Sequence, residues 1–87
     1  RDIEQHFVKA VKAKGGWALK FTSPGTAGVP DRLVLLPGGR MFFAEIKRPG
    51  EKPRPLQVAR IRQLQKLGFK VYVIDSKEVM PDDLQAP

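Results

Sequence analysis

The chain has 87 residues, enough for one small domain built on one core. It contains no cysteine, so neither disulfides nor zinc–thiolate sites hold it together, and no apolar run is long enough to span a membrane. Sixteen Lys and Arg against nine Asp and Glu leave a net charge of +7, which favours polyanionic partners, nucleic acid first. No signal peptide is visible, and the lack of cysteine fits a reducing, intracellular setting. The sequence does not open on methionine, so further residues before it are expected.

Asp2 to Lys14 is expected to form a helix. Ile3, Phe7, Ala10 and Val11 recur at helical spacing as its apolar stripe, Asp2 can cap its start with Gln5 three residues on, and Gly15-Gly16 stops it. Glu4 borders that stripe; from the residues alone it is a solvated first-turn acid that favours the helix N-terminus. Trp17 to Phe21 alternates as a short strand, with Trp17, Leu19 and Phe21 on one face, and Trp17 is expected in the core. Lys20, on the other face, reads as an exposed strand lysine or as a phosphate contact. Thr22 to Pro30 is a loop rich in Ser, Thr, Gly and Pro, whose Gly25 and Gly28 would let a nucleic-acid backbone approach closely. No Gly-Lys-Ser/Thr follows, which excludes a Walker-type phosphate loop. Pro30 sets the angle at which Asp31 enters the next strand.

Arg32 to Leu36 and Met41 to Lys47 read as a hairpin around Pro37-Gly38-Gly39-Arg40. The apolar run Leu33 to Leu36 predicts a central strand covered on both faces. Along the second strand Met41, Phe43, Glu45 and Lys47 share one face, while Phe42, Ala44 and Ile46 share the other. The register hangs on the turn. A two-residue turn at Gly38-Gly39 sets Asp31 opposite Ile46 and points it away from Glu45. A three-residue loop, Pro37 to Gly39, sets Asp31 opposite Glu45. In that second register two carboxylates and a lysine gather at the open end of the hairpin. Hard divalent cations take oxygen ligands, so such a cluster can hold one beside a fixed positive charge. A purely phosphate-binding surface gains nothing from acids there. The bland alternative is a surface Glu45–Lys47 ion pair that contributes little.

Arg48 to Pro55 is a proline-rich basic loop, either a solvated connector or, beside a carboxylate site, a place to hold phosphates. A second helix is expected from about Leu56 to Leu67, ended by Gly68. Gln57, Ile61 and Leu64 fall on one line of it, so polar Gln57 needs a partner. Lys70 to Asp75 is a last strand, Ser76 can cap a helical turn up to Met80, and Pro81 discourages continuation into a frayed tail. The order is αβββαβ, and a last strand that crosses over through the second helix can run parallel to its neighbour. His6, the sole histidine, reads as a surface residue, so no Ser-His-Asp constellation is possible.

Gly28-Val29-Pro30-Asp31, the hairpin, Glu45-Ile46-Lys47 and a following helix with Gln57 resemble the PD-(D/E)xK nuclease superfamily, and more closely its small VRR-NUC branch, from about Ile3 to Val79. The resemblance implies a restriction-endonuclease-like α/β fold with a mixed β-sheet flanked by helices, as one nuclease domain over residues 1–80 and a flexible tail at 81–87. It implies an endonuclease that hydrolyses DNA phosphodiester bonds with magnesium or manganese. Asp31 and Glu45 would hold the metal, joined by the carbonyl of Ile46 and by Glu4, directly or through water. Lys47 would stabilise charge at the scissile phosphate rather than act as general base, and Gln57 would complete the catalytic set. Lys20, Arg48, Lys52 and Arg54 would meet the DNA. Free-standing members of this branch act as homodimers on branched DNA, so the expectation is a homodimeric four-way (Holliday) junction resolvase, from a phage or bacterium, working in the host cytoplasm. The alternatives are a flap- or nick-directed monomer and a DNA-binding module without chemistry.

Overall fold

The computed structural model describes residues 2–85. Helix α1 (Asp2–Ala13) is followed by strands β1 (Trp17–Lys20), β2 (Arg32–Leu36) and β3 (Arg40–Ile46), then by helix α2 (Pro55–Lys66) and strand β4 (Val71–Ile74). This is the expected αβββαβ order. The sheet runs β1-β2-β3-β4, antiparallel through the first three strands and parallel between β3 and β4. The parallel pair follows from the crossover through α2, since a tight turn can join only antiparallel neighbours.

Strand alternation divides the side chains between two unequal faces. Val34, Leu36, Phe42, Ala44 and Ile74 point to one face, where Phe7 and Val11 of α1 close over them as the core. Phe42 lies edge-on between Phe7 and Tyr72, with ring centroids 6.3 and 5.1 Å apart. The opposite face is thinner. Phe43 is buried there between Phe21 and Phe69. α2 has its main strand neighbour in β4 and buries no residue fully.

That asymmetry overturns two expectations. Trp17 is 65% exposed and its cross-strand partner Leu35 is 38% exposed, so Trp17 is not core and β2 is not covered on both faces. β1 is an edge strand and α2 sits toward the far side of the sheet, so nothing in the described chain covers this pair. The tail also differs. The helix expected to start at Ser76 stops at a single turn, closed by the Val79 N–H on the Ser76 carbonyl at 3.4 Å, and a short 3-10 helix forms further on at Asp82–Leu84. Leu84 enters the core and Lys70 holds Asp83 at 3.1 Å, so residues 81–85 pack where fraying was expected. Residues 86 and 87 of the expected tail lie outside the described residues.

The hairpin register matters most for the site. Leu36 pairs with Arg40 and Arg32 with Ala44, across a three-residue loop, Pro37 to Gly39. Gly38 and Gly39 have φ of +83° and +75°, left-handed values that side chains other than glycine rarely adopt. One step further along this register Asp31 falls opposite Glu45. The Gly-Gly pair thus serves the longer loop, and the carboxylates come to the same side.

Candidate active site

Asp31 stands at the mouth of β2, and Glu45 near the end of β3. The Asp31 carboxylate is tied to the neighbouring strand, its Oδ2 accepting the Ile46 backbone N–H at 2.9 Å. Its own carbonyl accepts the Phe21 N–H at 2.7 Å, which fixes the entry to the strand from the other side. Glu45 is enclosed, with 1% of its surface exposed. Its Oε2 accepts a hydrogen bond from Gln57 Nε2 at 2.6 Å and faces Lys47 Nζ at 3.4 Å. Its Oε1 is buried and has no partner.

A buried carboxylate oxygen without a partner is unusual, because desolvation costs a polar atom several kcal/mol in the absence of compensating bonds. Burial, and then the negative charge of Asp31, push the Glu45 carboxyl above its ordinary value, against the pull of Lys47. Two acids therefore repel one another around an unused oxygen. A divalent cation is the group that would use that oxygen and cancel that repulsion, so the residues present fit a magnesium or manganese ion. Magnesium needs only one or two protein carboxylates and keeps several waters. Among the described residues no three Asp, Glu, His or Cys side chains converge on one point. The fit rests on the Asp31–Glu45 pair.

Glu4 stands apart from that pair. It belongs to α1, on the opposite side of the sheet from Glu45, and Arg32 takes its Oε2 through Nη2 at 2.8 Å and Nε at 3.2 Å. The Arg32 hydrogen bonds hold the Glu4 carboxyl below its ordinary value. Glu4 and Asp31 nonetheless line the same cleft, of about 950 Å³, at the end of the sheet. Of the expected DNA contacts, Lys20 and Arg48 line this cleft with Lys47, whereas Lys52 and Arg54 do not; Lys77, just beyond β4, lines it instead.

Gln57 has found the partner its position demanded. Its amide nitrogen holds Glu45, and its Oε1 accepts the Arg54 backbone N–H at 2.8 Å, so one side chain joins the start of α2 to the enclosed carboxylate. Two further residues tie the loop ahead of Asp31 to α2. Arg60 donates from Nε to the Ala27 carbonyl at 2.8 Å and fastens the loop ahead of Asp31 onto α2. Gly28 lies against the same helix at φ +85°, where an added Cβ would come within 2.9 Å of Leu56 Cγ. Its missing side chain makes room for α2, a correction to the expected approach of nucleic acid. Arg32 and Arg60 reach partners 28 and 33 residues away, and no local pattern carries such a signal.

No family model matches the sequence. The chain is 52% identical over 77 residues to the "Putative nuclease p44" of Acyrthosiphon pisum secondary endosymbiont phage 1, a match that spans 88% of this chain and 83% of that protein. The fold is also similar to a solved VRR_NUC domain, with a TM-score of 0.84 and 32% identity over 88% of this chain and 84% of that one.

Proposed function

Because this chain belongs to the VRR-NUC family of nucleases, we propose that it is a magnesium- or manganese-dependent endonuclease that hydrolyses phosphodiester bonds in branched DNA. One observation carries the metal reading: the buried, unpartnered Oε1 of Glu45 beside Asp31 and Lys47. Asp31 and Glu45 would hold the ion, the Ile46 carbonyl would add a further oxygen, and Glu4 would act through water from the cleft wall. Such an ion, when bound, activates water for attack and offsets charge on the scissile phosphate.

The chain's own residues divide the remaining work. Lys47 keeps its ammonium beside Glu45, with its side chain 8% exposed, so its positive charge is fixed before substrate arrives. A preorganised charge of this kind acts on the developing negative charge of the transition state, and we assign Lys47 that role. Gln57 holds Glu45 in place. Lys20 and Arg48 on the cleft wall would position the phosphate backbone, with Lys52 and Arg54 lying outside the cleft as more distant contacts.

The preferred substrate in this reading is a four-way junction, cut by a homodimer. Resolving a junction needs two symmetrically placed cuts, and a two-fold dimer supplies two sites in that relation. Support for a second copy comes from the uncovered sheet face, where Trp17 and Leu35 lie exposed. The phage origin of the 52% identical relative fits action inside a bacterial host cell. The test is a panel of labelled four-way junctions, flaps, nicked duplexes and intact duplexes with magnesium or manganese, run beside light scattering. Paired nicks in the junction by a dimer support the reading. A monomer that cuts flaps better than junctions replaces it with the flap nuclease.

A further inference from the structure

Arg32 is the immediate neighbour of Asp31, yet it points to the other side of the sheet. Its place in β2, paired with Ala44, puts it on the α1 face, and its side chain is 12% exposed. All three donor positions of the guanidinium that face the protein are used. Nε and Nη2 take Glu4 Oε2, and Nη1 donates to the Ala18 carbonyl at 2.9 Å. The fork therefore bridges α1, β1 and β2 at one point. A planar guanidinium with its donors engaged this way has little freedom, and it leaves its partner little freedom either. Only one oxygen of Glu4 is used in the bridge, and Glu4 lines the cleft that Asp31 also lines.

We propose that Arg32 is a positioning residue for the metal site: it holds Glu4 at the cleft wall, in register with Asp31, so that the free carboxylate oxygen orders the water through which Glu4 acts. The inference rests on the reading of Glu4 given above. Two adjacent residues, one at the mouth of β2 and one opening it, then serve the two halves of the site. Asp31 faces Glu45 directly, and Arg32 fixes the more distant carboxylate from the opposite face. Groups that orient the residues around a metal typically change its affinity about 10–100-fold when removed. Arg32→Lys keeps the charge and loses the fork.

The experiment is calorimetric titration of the full chain with manganese alone, so that no cleavage is needed for a readout. Glu4→Gln is expected to weaken manganese binding by about tenfold or more, and Arg32→Lys to match it. The double variant is expected to bind no more weakly than Glu4→Gln by itself, because Arg32 acts only through Glu4. A merely structural Arg32 gives independent losses that multiply in the double variant, and that result overturns the proposal. Glu4→Asp keeps the charge but shortens the reach to the guanidinium. It tests the same bond from the exposed side should Arg32→Lys fail to fold, and undiminished binding in Glu4→Asp overturns the proposal as well. Loss in Glu4→Gln with wild-type binding in Arg32→Lys leaves the reading of Glu4 standing and removes only Arg32. Wild-type binding in Glu4→Gln removes both.

Discussion

Gln57→Ala should weaken the fold and the chemistry together, by amounts the structure sets. The side chain makes two bonds: Nε2 to the Glu45 carboxylate at 2.6 Å and Oε1 to the Arg54 N–H at 2.8 Å. Loss of a hydrogen bond to a charged group costs about 1.5–3 kcal/mol, and the second bond, at an exposed helix start, adds about 0.5 kcal/mol. The sum is roughly 2–3.5 kcal/mol, which lowers the melting temperature of a domain this size by about 8–28 °C. Glu45 also loses its anchor on α2, so the cleavage rate should fall about 10–100-fold. Thermal unfolding followed by circular dichroism reads the first effect, and single-turnover cleavage of labelled DNA reads the second. Gln57→Glu separates the two bonds. It keeps an oxygen for the helix start but sets a negative charge against Glu45, so it should be at least as damaging as Gln57→Ala. A Gln57→Glu protein as stable and active as wild type would refute the reasoning.

Lys47→Ala should retain DNA binding and lose about 2–4 kcal/mol of transition-state stabilisation, roughly 30- to 1000-fold in rate; cleavage within a few fold of wild type would reduce Lys47 to a plain ion pair. Gly28→Ala combines a left-handed backbone with a 2.9 Å approach to Leu56. Its cost should be about 2–4 kcal/mol, read as a fall in melting temperature of roughly 8 °C or more. Glu4 gives a pH signature. Its folded-state carboxyl lies below the ordinary 4.5, so its stabilisation is present above 4.5 and lost as pH falls through the lower folded-state value. Wild type should therefore exceed Glu4→Gln by at most about 1 kcal/mol near neutrality, with the gap closing in acid, as paired thermal melts can show.

The order of elements was legible because periodicity is local. Phe7 and Val11 announce a helix by spacing, and Phe42, Ala44 and Ile46 announce a strand face by alternation. Gln57 was legible for a related reason: a polar residue on an otherwise apolar line needs a partner, and Glu45 provides one. The register of the hairpin was not decidable from residues, since Gly38-Gly39 suits both a two-residue turn and the left-handed end of a three-residue loop. Trp17 misled because its burial depends on where α2 comes to rest, and nothing in Trp17's own neighbourhood encodes that. Leu84 misled in the opposite sense. A terminal Leu among acids reads as solvated, yet it joins the buried core cluster against which Val79 and Met80 also pack. Arg32 and Arg60 stayed hidden because each acts across the fold on a partner far along the chain.

The central claim is that Asp31 and Glu45 together bind a divalent cation, and the most direct test is a manganese or magnesium titration of wild type, Asp31→Asn and Glu45→Gln, with DNA binding measured in parallel. The predicted result is binding in wild type that either substitution abolishes, while both variants still bind DNA. Wild-type binding should also be weaker at about pH 5 than near neutrality, since burial and Asp31 raise the Glu45 carboxyl and a proton then competes with the metal. Metal binding that survives both substitutions, or a wild-type protein that cleaves DNA in the presence of a chelator, would contradict the account.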